Sequence, residues 1–134
     1  MSVTRTFTVT VAYVYGGNKY LLDGVAQADA YLVEGNTYRF YQSDSSNGGH
    51  PLRFSTTSNG THSGGSEYTT GVTTNGTPGS AGAYTEITVA SDAPTLYDYC
   101  TNHSGMGGTA YTPSEGWDVG AWGAGRYGVA DAFT

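Results

Sequence analysis

Residues 96–106 read Leu96-Tyr97-Asp98-Tyr99-Cys100-Thr101-Asn102-His103-Ser104-Gly105-Met106. Leu96 to Tyr99 fit a strand that delivers Cys100 to its end. A short loop then places a histidine three positions on and a methionine six positions on. His50 stands fifty positions before the cysteine. A thiolate and two imidazoles in trigonal array, with a thioether as a weak axial donor, make a donor set suited to copper. Cys100 is the only cysteine, and Met106 is the only methionine besides Met1. His50 and His103 are two of the three histidines. Taken singly, each has an ordinary reading, since a lone cysteine is most often a small buried hydrophobe. The set His50, Cys100, His103 and Met106 is what points to a metal site. His62, within Gly60-Thr61-His62-Ser63-Gly64, reads as an exposed loop residue without a role.

Working outward, residues 3–15 alternate. Val3, Phe7, Val9, Val11 and Tyr13 are expected on one face, and Thr4, Thr6, Thr8 and Thr10 on the other, as in a half-buried strand. Further strands are expected at 19–22, 27–33, 37–41, after His50-Pro51, near 67–73, and at 84–90, 94–100 and 107–111. Turn signals such as Gly16-Gly17-Asn18, Asp23-Gly24 and Glu34-Gly35-Asn36 separate them. No segment carries a sustained helical stripe. About eight short strands with Greek-key-like spacing predict an all-β sandwich.

The chain has 134 residues, enough to bury one core without disulfides, and its single cysteine forbids an internal one. The formal net charge is −6, and Lys19 is the only lysine. That balance argues against nucleic acid, which needs a basic face, and against anionic membrane surfaces. No stretch is long and apolar enough to span a bilayer. The opening Met1-Ser2-Val3-Thr4-Arg5 lacks a basic region followed by an apolar run, so the expectation is a chain made in a cytoplasm without a signal peptide. The carboxylates are scattered, and no nucleophile elbow, phosphate loop or His-Glu-x-x-His motif occurs. The expectation is a protein that is not an enzyme.

From residue 114 the chain reads SEGWDVGAWGAGRYGVADAFT. Trp117, Trp122 and Tyr127 recur at a spacing of five, which fits neither strand nor helix. We therefore divide the chain into a sandwich, residues 1–112, and a glycine- and aromatic-rich C-terminal arm, residues 113–134. Trp117, Trp122, Tyr127 and Phe133 are its expected docking residues, because large aromatics carry much of the energy of interfaces.

The donor order resembles that of cupredoxins, in which the cysteine ends a strand, histidine and methionine follow on the next loop, and the first histidine comes from far back in the chain. Cys-x-x-His-x-x-Met has the short ligand-loop spacing of amicyanin-type blue-copper proteins, and the resemblance spans roughly residues 3–111. One departure is Asp98, which alternation puts on the same face as Cys100, where cupredoxins usually carry an apolar or aromatic residue. A carboxylate there is costly to bury unless paired.

A second resemblance is more specific in wording. Residues 35–58 (GNTYRFYQSDSSNGGHPLRFSTTS), 66–72 (SEYTTGV) and 99–108 (YCTNHSGMGG) are similar to a cupredoxin-like module in virion structural proteins of marine tailed phages, cyanophages especially. The tail also looks like the Trp-Gly-rich tails of such proteins. This resemblance implies a cupredoxin-like Greek-key β-sandwich and a virion structural protein. Capsid decoration or cementing is the first expectation, and a tail or fibre component the second. Its partners would be other virion proteins, the major capsid protein or tail proteins, met through the arm, in an oligomeric particle. Copper is the one cofactor implied. The alternative is a small blue-copper electron-transfer protein.

Overall fold

Eleven short strands, as seen in a computed structural model that describes residues 3–114, build two facing sheets. The arm residues Trp117, Trp122, Tyr127 and Phe133 lie outside the described residues. The strands are β1 (Arg5–Val14), β2 (Gly17–Leu22), β3 (Val25–Ala26), β4 (Ala30–Tyr31), β5 (Thr37–Tyr41), β6 (Leu52–Ser55), β7 (Glu67–Tyr68), β8 (Val72–Asn75), β9 (Tyr84–Thr88), β10 (Leu96–Cys100) and β11 (Thr109–Tyr111). One sheet has the order β3-β2-β1-β5-β9-β8, and the other β4-β11-β10-β6-β7. Both are mixed: β1 runs parallel to β5, β4 runs parallel to β11, and the remaining pairs are antiparallel. The all-β sandwich expected from the sequence is thus the observed architecture.

The long first strand serves two neighbours. Its first half pairs with β5, from Arg5 opposite Tyr38 to Thr8 opposite Tyr41. Its second half pairs with β2, from Val9 opposite Leu22 to Val14 opposite Gly17. Alternation holds where the strand is covered, so Phe7 and Val9 are buried while Thr6 and Thr8 are exposed. It fails at the tip of the β1–β2 hairpin. Tyr13, expected on the buried face, is 75% exposed, and Tyr15 beside it is 80% exposed. The alternation persists in the backbone there, but among the described residues no second sheet covers that end.

Phe40 on β5 stacks on Phe7 at 4.7 Å and meets Phe54 of β6 edge-on at 5.4 Å, so three phenylalanines tie one sheet to the other. Burying each ring is worth about 1.5–3 kcal/mol. Leu52, Ile87, Val89, Leu96, Cys100 and Met106 belong to the same buried cluster. The single strand expected near 67–73 is two, broken at Gly71. That residue has φ +71, and a side chain there would collide with the Thr88 carbonyl. Of the strand expected at 27–33, only Ala30–Tyr31 forms, and Gln27, at φ 50, separates it from β3. Among the described residues, no helix is long and apolar enough to cross a membrane.

Candidate metal centre

The antiparallel pairing of β6 with β10 closes the gap of fifty residues. Cys100, the last residue of β10, faces Leu52, the first of β6, and the Thr101 N–H donates to the Pro51 carbonyl at 3.2 Å. His50 lies two residues before Leu52. Strand register alone therefore brings the first histidine beside the cysteine.

A buried polar network fixes the backbone at His50. Asp44 caps a 3₁₀ turn, Ser45–Asn47, by accepting from the Ser46 N–H. Asn47 is fully buried and donates to the Val9 carbonyl at 2.8 Å. The Gln42 amide donates to Asn47 Oδ1 at 3.0 Å and to the His50 carbonyl at 2.7 Å. Its oxygen accepts from the Leu52 N–H at 2.9 Å. The Tyr20 hydroxyl donates to the His50 carbonyl at 2.6 Å, and the His50 N–H donates to the Asn47 carbonyl at 2.8 Å. Burial, and then the adjacent Cys100 charge, pushes the Tyr20 phenol well above its ordinary range, so it remains a donor.

The result is a compact cluster. Cys100 Sγ is 3.7 Å from His50 Nδ1 and 3.6 Å from His103 Nδ1. The donor atoms of the three side chains all lie within 4.8 Å of one another. Metal–sulfur and metal–nitrogen bonds of about 2.3 and 2.0–2.1 Å, at angles between tetrahedral and trigonal, place sulfur and nitrogen about 3.6–3.8 Å apart. Both measured separations fit a single ion shared by the three donors. The two imidazoles, with ring centroids 4.6 Å apart, are tilted by 46° rather than stacked. Burial, and then the neighbouring His103 charge, holds His50 below the usual imidazole pKa, which favours the neutral, metal-ligating form. Cys100 is buried, His50 is partly covered and His103 is exposed, so the cluster has one side toward solvent.

Met106, the fourth expected ligand, is 1% exposed and belongs to the same buried cluster as Cys100. Its carbonyl accepts from the Tyr20 N–H at 2.9 Å. Asp98 is on the Cys100 face of β10, as alternation predicts, and is 2% exposed. One carboxylate oxygen accepts from the Gly108 N–H at 3.1 Å. The other, Oδ2, is the one buried side-chain polar atom among the described residues with no hydrogen-bond partner. Burial pushes this carboxyl up to about 7, with the nearby Asp29 charge acting in the same direction.

His62 is exposed, as expected, but it makes a contact the sequence did not suggest. Its Nε2 lies 2.7 Å from the Cys100 carbonyl, which can only accept, so the imidazole donates to the backbone of the candidate thiolate ligand. Sequence reading also missed Gln42, Asn47 and Tyr20. A polar pair flanking a loop is the one signal that points to Gln42 and Asn47, and nothing local points to Tyr20.

No family model matches the chain, and a comparison with curated proteins finds no relative either.

Proposed function

We propose that this chain is a cupredoxin-like structural component of a phage virion, decorating or cementing the capsid, with a tail or fibre position as the second location. The wording of residues 35–58, 66–72 and 99–108 supports the virion reading. The observation that carries the metal part is the pair of imidazole nitrogens 3.6 and 3.7 Å from one thiol sulfur. His50, Cys100 and His103 would hold the copper ion, and Met106 would offer a thioether as a fourth donor. When bound, copper would supply a cross-link between the 50 loop and the 100–106 loop. An ion that binds only the folded state stabilises it by about 2.7 kcal/mol at a hundred times its dissociation constant. The role is non-enzymatic, and the arm supplies the contact with neighbouring virion proteins through Trp117, Trp122, Tyr127 and Phe133.

Two measurements test this. Copper(II) titration should give an intense visible thiolate–copper band that Cys100→Ser abolishes, and a wild-type protein without the band removes copper from the proposal. Replacing the four arm aromatics by alanine in the full chain should abolish co-sedimentation with purified particles. Undiminished binding would sink the docking role.

The second reading is a small blue-copper electron-transfer protein. The exposed edge of His103 favours it, because it connects the cluster to solvent. It requires reversible one-electron cycling of the copper-loaded protein at an electrode. The buried Asp98, two residues before Cys100 and with one carboxylate oxygen unpartnered, weighs against a dry, low-reorganisation centre.

A further inference from the structure

Resting on the copper proposal, we infer that Asn59 and His62 are positioning residues for the metal cluster: the turn that carries them grips the 100–106 loop at both ends and holds it in the ligating arrangement before an ion arrives. At one end the His62 imidazole donates to the Cys100 carbonyl at 2.7 Å. At the other, Asn59 Oδ1 accepts from the Gly105 N–H at 2.8 Å. The two contacts span the loop from its first candidate ligand to the residue before its last.

A grip positions only if it is itself fixed. Residues 60–63 form a 3₁₀ turn, closed by the His62 N–H on the Asn59 carbonyl at 3.1 Å and the Gly65 N–H on the Gly60 carbonyl at 3.1 Å. Asn59 adopts a left-handed backbone, φ 66, a conformation that asparagine tolerates better than most side chains. Gly60 lies flat against the Tyr99 ring, and a Cβ there would stand 2.6 Å from the ring carbons. Tyr99 is the neighbour of Cys100 on β10, pointing to the opposite face. The turn is thus seated on the outer face of the strand whose inner face carries the thiol.

The far side of the loop is tied as well. Lys19 Nζ donates to the Gly105 carbonyl at 2.9 Å, and Gln27 donates to the Gly107 carbonyl at 2.9 Å. Held on both flanks, the loop has little freedom to carry His103 away from Cys100. Partners that orient metal ligands govern affinity even without touching the ion.

The test uses the full chain with Asn59→Gly, which keeps the left-handed backbone, His62→Ala, and the double variant. Asn59→Asp and His62→Gln restore an acceptor and a donor respectively. In metal-free protein, amide hydrogen exchange across 100–106 should accelerate about tenfold in the double variant, Gly105 most of all, while amides of β1 and β5 keep their rates. Copper affinity should fall about tenfold, with a shifted visible band, and the two conservative variants should recover both. Unchanged loop exchange in the metal-free double variant overturns the inference. So does unchanged copper affinity and band position where the wild type binds copper. A wild-type protein that binds no copper defeats the functional proposal instead, and the exchange rates still decide the grip.

Discussion

His50 and Cys100 reach the cluster from two neighbouring strands, yet their surroundings are opposites. Beneath His50, the buried polar side chains Gln42 and Asn47 each make several hydrogen bonds. Beneath Cys100, Asp98 is buried with one oxygen satisfied and the other bare. A buried polar group stabilises only when its partners are complete, and it costs free energy when they are not. The first side of the site therefore adds to the stability of the sandwich, and the second subtracts from it.

The largest effect should come from Asp98, and its sign should be opposite to that of most core substitutions. The folded carboxyl titrates near 7, well above its value in an unfolded chain. Between about pH 4 and pH 7 the folded state then holds a proton that the unfolded state has released, so this group makes stability fall as pH rises. A shift of about three units corresponds to a deficit of roughly 4 kcal/mol, complete above pH 7. Asp98→Asn keeps an acceptor for the Gly108 N–H and cannot ionise. The metal-free variant should match the wild type near pH 4 and exceed it by up to about 4 kcal/mol at pH 8 in urea unfolding. A difference that does not change with pH would show that Asp98 carries no buried charge.

Gln42 tests the other side. Gln42→Leu conserves much of the volume and removes three hydrogen bonds at once, leaving the Leu52 N–H and Asn47 Oδ1 without their partners. Stability should fall by about 3 kcal/mol at every pH, because no titrating group is involved. A loss below about 1 kcal/mol would mean that the His50 loop is held by other contacts, and the contrast between the two sides would collapse.

These two residues also mark how far the sequence could be read. Asp98 was legible: strict alternation through β10 places it on the Cys100 face, and the structure buries it there. The cluster of His50, Cys100 and His103 was legible because chain order and spacing encode it, and the β6–β10 register accounts for the juxtaposition of His50 with Cys100. Gln42 was not legible, since an amide just outside a strand looks the same whether it faces water or the core. The exposure of His62 was read correctly, but its contact was missed for a related reason. Its bond to Cys100 joins residues thirty-eight apart through a turn seated on Tyr99. Periodicity reports which face a residue takes, not which distant loop folds over that face. Tyr13 shows the converse, with the pattern intact and no partner sheet above it among the described residues.

The smallest effect is expected at an exposed side-chain bond that joins the two halves away from the donor atoms. Asn102 Nδ2 donates to the Gly49 carbonyl at 3.0 Å in an exposed setting. Water replaces such a bond readily, so Asn102→Ala should cost no more than about 0.5–1 kcal/mol in urea unfolding. If the site were a single cooperative network, removing its bridge would cost as much as removing Gln42. If the halves are separately supported, the Gln42→Leu and Asn102→Ala losses should add within about 0.5 kcal/mol in the double variant. A larger coupling would make the bridge, rather than the two independent foundations, the source of the cluster's geometry.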